Sequence, residues 1–495
     1  MKRYEVLAAD IEQSIGRGVL RCGDRLPSVR SASRSRGISA STVFAAYYLL
    51  EARGVIRARE RSGYYVAATS RRLPLEAVSV SEPADESVDV AVSERVFKIL
   101  EQTARRQAVP FGSAFLSPLL FPLSRLGRYL AAAARDLDPW STVDDLTPGN
   151  AALRRQIALR YLGDGIQVPM HEIIITNGAM EALNLSLAAI AQVGDSIVVE
   201  SPTFYAALHA LERLGMRAIE VSTHQREGID LGALEQAIRR HKPKACWLMT
   251  TFQNPMGSTL PEEKKRDLVD LLARHNVPLI EDDVYGELYF GTRRPLPAKA
   301  FDKAGLVLHC SSFSKCLAPG YRIGWVAAGR YTTAVAHQKL STSLTTSTPT
   351  QIGLAGYLEH GGFDKHLRKL RHTLQQQQQV FAQAVGHYFP EGTRATRPSG
   401  GYFLWVELPP GCDSLEIQTQ ALKLGICVAP GPIFSARPGF NNFLRLNYGH
   451  PWDGRSEGAL ETLANLTFAQ VPPVPRPRRS RRSRGGLAIA RAART

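Results

Sequence analysis

Lys315 stands in the run SSFSKCLAPGYRIGW, at the end of the apolar segment GLVLHC and among small hydroxyl residues. An amine in that setting is badly placed as a solvated surface charge. Partly desolvated, it loses its proton more readily and can attack an aldehyde to form a Schiff base. Other short apolar segments end in groups of matching chemistry. EIIIT is followed by NGAMEAL, where the backbone N–H groups of Gly178, Ala179 and Met180 open a helix, and such an end attracts phosphate. SIVVE leads into SPTFY, which offers Phe204 or Tyr205 as a flat ring, and ACWLMTT leads into QNPMG, with the Asn254 amide. PLIE is followed by Asp282, Asp283 and Tyr285, and LVLHC by Ser312, Ser314 and Lys315.

These are the parts that bound pyridoxal 5'-phosphate requires: a lysine for its aldehyde, a carboxylate to keep the ring nitrogen protonated, donors for the ring oxygen, a flat partner and a phosphate nest. Asp282 fits the carboxylate, because an acid beside a pyridinium stabilises the charged ring. Asp283 reads as structural. Cys316, with no histidine in its motif, reads as a small packing residue. The six cysteines form no CxxC pair, which argues against a disulfide framework and a zinc site.

The elements that must position these groups alternate. Short Val/Ile/Leu runs separated by amphipathic helices, such as MEALNLSLAAIAQ, FYAALHALERLG and PEEKKRDLVDLLARH, indicate an α/β fold with a mostly parallel sheet covered on both faces. Ligands in such sheets sit beyond the carboxyl ends of the strands, where the residues above collect. After residue 330 the pattern turns helical before GGYFLWVELP and NFLRLNYG return to strands, as expected of a smaller α+β lobe. The five consecutive glutamines are expected on a solvated helical face.

Across roughly residues 95 to 468 this arrangement resembles the fold-type I aminotransferase family, which implies a seven-stranded sheet and a role for each residue. By that resemblance Lys315 holds the cofactor covalently, Asp282 pairs with the pyridine nitrogen, and Tyr285 and Asn254 donate to the ring hydroxyl. Phe204 stacks on the ring, with Tyr205 the lesser choice. Ser312, Ser314, Arg322 and the turn at Gly178 bind phosphate, and Arg445 in FLRLNYG clamps a ligand carboxylate with its two-pronged guanidinium. Family members often carry a tyrosine shortly before the Pro-Gly of DDLTPGNAALRRQIA; residues 143 to 147 hold no aromatic here.

The first residues have a separate organisation. Ile11 and Ile15 share a helical face, GDRLPS breaks the chain, Ser39 to Thr42 open a helix carrying Val43, Ala46, Tyr47 and Leu50, and GVIRARERSGYYV reads as strand, turn, strand. That is the order of a winged helix-turn-helix. Its run Gly-Asp-Arg-Leu-Pro-Ser-x-Arg at residues 23 to 30 resembles the GntR family of bacterial regulators. A GntR-type domain ahead of an aminotransferase-like one is similar to the MocR subfamily of pyridoxal phosphate-using regulators. The resemblance implies a helix near Ser39 in the major groove of double-stranded DNA, with Ser41 and Thr42 available for readout. Arg30 then meets phosphate, and a wing at Arg61, Ser62 and Gly63 touches the minor groove. Ala40 stands where the family often has arginine. A head-to-tail homodimer is also implied.

Charge supports a polyanion partner at the ends of the chain. Residues 1 to 69 hold twelve Lys/Arg against six Asp/Glu, and residues 471 to 495 hold eight Arg and no acid. The expected division is a DNA-binding domain at 1–69, a flexible linker at 70–92, a pyridoxal phosphate domain at 93–470 and a basic disordered tail at 471–495. With no signal-peptide core and no run able to span a bilayer, a cytoplasmic protein is expected. The function expected is transcription regulation tuned by a small amino compound; the alternative is an active aminotransferase with an accessory DNA-binding domain.

Overall fold

Six runs of four to six mostly apolar residues, too short for helices and rich in Val, Ile and Leu, pair with one longer, more polar strand into a central sheet. The computed structural model describes residues 3–16, 19–20, 24–52, 55–59, 63–66, 73–94, 96–97, 108–144 and 147–471. The strands lie in the order Arg217–His224, Ser196–Ser201, Ala245–Leu248, Leu279–Asp282, Val307–Ser312, Gly324–Ala327 and Ile173–Thr176. All are mutually parallel except Gly324–Ala327, which runs antiparallel to both neighbours. The seven-stranded, mostly parallel expectation therefore holds for the centre. Two short strands extend it to nine: Gly228–Ile229, which folds back on the edge strand, and Ser87–Asp89, antiparallel to Arg217–His224.

The second addition corrects the linker. Residues 73 to 92 are not a free connector: Leu75–Glu76 pairs in parallel with Arg394–Ala395 of the smaller lobe, and Ser81 Oγ bonds the carbonyl of Ser201. Short polar strands of this kind are held by backbone pairing, which leaves little mark on composition. The smaller lobe is a five-stranded sheet in which Phe403–Glu407 lies antiparallel to Phe443–Asn447, backed by the helices Ser414–Lys423 and Gly454–Gln470.

The long helix Phe363–Tyr388 carries the glutamines, and they do not form a solvated face. Five consecutive residues span more than a turn, so all five end half-buried, and Gln378 donates to the carbonyl of Pro398 at 2.6 Å. In the N-terminal domain the helices Arg3–Gly16, Val29–Arg36 and Ala40–Ala52 enclose a separate core of Leu7, Ile11, Leu26, Val43, Ala46, Tyr47 and Leu50. A hairpin, Ile56–Arg59 with Gly63–Val66, completes the wing, and the 24–26 stretch bonds along it. Tyr4 reaches His372 of the long helix at 2.8 Å. No helix among the described residues is long and apolar enough to cross a membrane. Residues 472–495, where the basic tail was expected, lie outside the described residues.

Candidate cofactor site and DNA-reading domain

The strand ends converge. Asn254 and Arg445 are fully buried, and Asp282, Tyr285, Ser312 and Ser314 nearly so, while Lys315 keeps a small exposed area among them. The Lys315 amine donates to the Ala114 carbonyl at 2.8 Å and lies 4.2 Å from the centre of the Phe115 ring and 6.0 Å from that of Tyr285. Burial, aided by the charge of Arg445, brings its pKa down to about 7, against the pull of Asp282. The Asp282 carboxyl is displaced the opposite way, up to about 7, first by burial and then by Asp283. Its Oδ1 is buried without a partner among the described residues.

A neutral amine near pH 7 has a kinetic consequence. Modification of Lys315 by an aldehyde should rise through about pH 7 and level off above it, whereas an ordinary lysine keeps accelerating towards its unperturbed pKa, about 10.4. Stopped-flow absorbance against pH checks this, and a rate still climbing steadily from pH 8 to 10 would contradict it.

Around the pair, Asn254 Nδ2 lies 3.5 Å from the Tyr285 hydroxyl, so the two donors assigned to the ring oxygen are neighbours. Phe204 caps the N-terminus of helix Tyr205–Arg213 and is partly exposed; Tyr205 is buried, 5.7 Å ring to ring from Phe434. Phe204 is the more exposed of the two rings, and it packs on Tyr205 at 4.8 Å between centroids. Gly178, at φ +84°, opens helix Ala179–Ile190, whose first-turn N–H groups have no partner within the helix. The Arg322 guanidinium fills the space beside it: a Cβ on Gly178 would stand 2.7 Å from Arg322 Cζ. Arg322 bonds Ser314 Oγ at 3.3 Å and the Asn177 carbonyl at 3.0 Å, and Ser314 N donates to Ser312 Oγ. Met180 lies in the same helical turn, partly buried. An orphaned buried carboxylate oxygen, a glycine-opened helix end and an arginine at that end fit the ring nitrogen and phosphate of pyridoxal phosphate.

Asp283 is engaged elsewhere, in an ion pair with Arg294 at 2.5 Å and a hydrogen bond with His309 Nε2 at 3.1 Å. Burial alone would raise its pKa, but these partners hold it below the ordinary range. Cys316 is buried.

Arg445 is engaged differently from the expectation of an open fork. Nη1 donates to Asn254 Oδ1 at 3.0 Å, Nη2 to the Gly112 carbonyl at 2.6 Å, and the guanidinium lies 4.3 Å above the Phe403 ring. The segment 112–115 was missed from sequence. Its carbonyls accept from Arg445 at Gly112, from Asn447 at Ser113 and Phe115, and from both Lys315 and Tyr402 at Ala114. Gly112 has no room for a side chain, since a Cβ would come within 2.6 Å of Cys427 Sγ and the Val428 carbonyl carbon. That crowding is a signal visible only in three dimensions.

In the N-terminal domain Ser39 precedes helix Ala40–Ala52 and caps it. Its Oγ accepts from Thr42 N at 3.2 Å and bonds Ser41 Oγ at 2.9 Å and Thr42 Oγ1 at 2.8 Å. The hydroxyls proposed for base readout therefore bond first to one another. Arg30 is exposed on helix Val29–Arg36. Gly63, at φ +101°, starts the second wing strand; Arg61 and Ser62 lie outside the described residues.

Comparison with known proteins completes these observations. Residues 145–460 match the model of aminotransferase class I and II, and residues 3–66 match that of the bacterial regulatory proteins of the gntR family. The chain is 47% identical to the HTH-type transcriptional regulator YdcR of Escherichia coli over 94% of this chain and 99% of that one. Among solved structures, a kynurenine aminotransferase of Pyrococcus horikoshii superposes with a TM-score of 0.70 at 28% identity, covering 76% of this chain and 95% of its own. LysN, an alpha-aminoadipate aminotransferase of Thermus thermophilus solved with N-(5'-phosphopyridoxyl)-L-leucine, gives 0.68 at 27% identity, covering 77% and 99%.

Proposed function

Because the chain belongs to the class I and II aminotransferase family and carries a GntR-family domain ahead of it, the MocR-type arrangement, we propose that it is a transcription regulator whose grip on double-stranded DNA is set by an amino compound. That compound is taken up beside pyridoxal 5'-phosphate. The cofactor, when bound, supplies an electrophilic carbon for amines and an electron-withdrawing ring. Lys315 would hold it, and Asp282 would keep a proton on its ring nitrogen. Asn254 and Tyr285 would donate to its ring oxygen, Phe204 would cover one face, and Gly178, Ala179, Met180, Ser312, Ser314 and Arg322 would take the phosphate.

One observation supports regulation through this site. The side chains an amino acid would engage, Lys315 and Arg445, both donate to carbonyls of the segment 112–115. A ligand carboxylate takes the place of the Gly112 carbonyl on the Arg445 fork, because a charged acceptor outcompetes a neutral one. Along the chain this segment follows the strap that begins at residue 73, which pairs with Arg394–Ala395 of the smaller lobe and with Arg217–His224 of the large sheet. A bistable contact of this kind is what a ligand needs to shift a conformational equilibrium. A homodimer belongs to the same proposal, since paired DNA-binding domains on one site amplify a small change in geometry.

The test is one preparation assayed twice. DNase footprinting on the DNA upstream of its own gene, with and without a panel of amino acids and amines, should show protection that an effective amine alters. A keto-acid transamination assay should show turnover far below ordinary enzymatic rates. Rapid turnover without protection of any DNA would make the protein an aminotransferase. The fork gives a sharper variant. Arg445→Lys keeps the charge but loses the bidentate geometry, so the concentration of a carboxylate-bearing effector needed for response should rise roughly ten- to a hundredfold, the worth of one to two charge-assisted bonds. Response to a carboxylate-free amine should be unchanged, and equal losses for both classes would contradict the assignment.

A further inference from the structure

The helix Ala40–Ala52 turns Val43, Ala46, Tyr47 and Leu50 into the domain core and leaves Ser41, Phe44, Ala45 and Tyr48 outward, spaced i, i+3, i+4, i+7 on one face. Phe44 is 55% exposed and Tyr48 62%. With Val29 and Ala40 they line one shallow depression. An aromatic stripe on a small domain is costly to leave in water, so its surroundings are informative. From Arg25 to Leu50 the chain has no Asp or Glu and four exposed arginines, Arg25, Arg30, Arg34 and Arg36, of which Arg36 is paired with Asp10 at 2.6 Å. The next acid, Glu51, is occupied by the Ala58 N–H of the wing hairpin. An apolar stripe with no acid in its lining, in a stretch whose charged side chains are all basic, is complementary to a groove walled by phosphates.

The second helix of a helix-turn-helix enters the major groove with its N-terminal residues against base edges. Here the only polar side chains at that end are the hydroxyls of Ser39, Ser41 and Thr42, which bond one another. Ala40 and Ala45 have no donor, and the Ser41 hydroxyl bonds that of Ser39. Among base pairs seen from the major groove, only A·T and T·A present an apolar group, the thymine 5-methyl. The helix itself carries no Arg, Lys, Asn or Gln, so it offers a guanine or adenine no bidentate partner. Resting on the DNA-binding reading above, we propose that Phe44, flanked by Ala40 and Ala45, is the specificity-determining residue of this domain and selects thymine by contact with its 5-methyl group.

The experiment uses the full-length protein with pyridoxal phosphate to select from a random duplex library, after which the enriched duplex is resynthesised with deoxyuridine at each thymine in turn. Uracil keeps every hydrogen bond and removes only the methyl. At one or more positions, binding should weaken roughly fourfold, the effect of one buried methyl group. In Phe44→Ala the thymine and uracil duplexes should bind alike, while Phe44→Leu should keep most of the difference. The exposed position makes these variants safe for folding, and the uracil series on the wild-type protein needs no variant. An enriched duplex indifferent to uracil everywhere, or a Phe44→Ala protein that still discriminates, overturns the inference and leaves DNA binding intact. A library from which no sequence is enriched overturns the DNA-binding reading, and this inference with it.

Discussion

Replacing Lys315 with alanine is expected to abolish the visible absorbance that the protein acquires with pyridoxal phosphate, leaving only the spectrum of free cofactor. The expectation follows from the contrast among the buried lysines. Lys265 donates to Thr251 Oγ1 and the Leu296 carbonyl, Lys299 is paired with Asp302, and Lys339 with Glu181. Each of these amines has a structural task that condensation with an aldehyde would undo. Lys315 has one carbonyl partner, forms no ion pair among the described residues and loses its proton near pH 7. Losing its single bond to Ala114 costs about 1 kcal/mol, so the alanine variant should remain folded by circular dichroism and, once unbound cofactor is removed, be colourless. Lys315→Arg, which keeps a long side chain but cannot form a Schiff base, should be colourless too. A coloured Lys315→Ala protein would mean that another amine holds the cofactor.

The second large effect is expected at Asp282. Its carboxyl is buried with its folded pKa above the unfolded value, so the group binds protons more readily when folded. Its contribution to stability is therefore present at low pH and is lost as pH rises through about 7. Above that range the native state holds a carboxylate it disfavours, and Oδ1 has no partner to offset the cost. Asp282→Asn should then leave the cofactor-free protein melting no lower than wild type at pH 8. In the presence of pyridoxal phosphate the order reverses, because the wild-type carboxylate gains a pyridinium partner and the amide does not. Breaking a buried charge pair costs roughly 3–5 kcal/mol, so cofactor affinity should fall at least a hundredfold. Titration by absorbance and thermal melts at pH 8 check both halves. An Asn variant that binds cofactor as tightly as wild type would remove Asp282 from the site.

What was legible in the sequence depended on how the information is carried. Lys315, Asp282, Asn254 and the turn at Gly178 stand at the ends of apolar runs, and once those runs are taken as strands of a parallel sheet, the sheet brings them together. The core of the DNA-binding domain was legible for a similar reason, since Val43, Ala46, Tyr47 and Leu50 repeat at helical spacing. The strand Arg217–His224 escaped notice because Glu220, Ser222 and Thr223 interrupt its apolar residues. Glu220 is nonetheless buried, accepting from Ser435 Oγ and Ala436 N, partners more than 200 residues away. The segment 112–115 acts through main-chain carbonyls, which every residue type possesses, so FGSAF carries no recognisable signal. The strap at 75–89 is held in the same way. Arg445 was identifiable only through the resemblance carried by FLRLNYG, and its bonds to Gly112 and Asn254 follow from packing between lobes that no local pattern encodes.

Whether Lys315 carries the cofactor is decided by borohydride reduction of the protein incubated with pyridoxal phosphate, followed by peptide mass spectrometry. Reduction makes the carbon–nitrogen bond permanent, so the modified lysine is read without reference to activity or DNA. A single phosphopyridoxyl group on the peptide containing Lys315 is the expected result. Modification confined to Lys265, Lys299, Lys339 or surface lysines, with the Lys315 peptide unmodified, would contradict it.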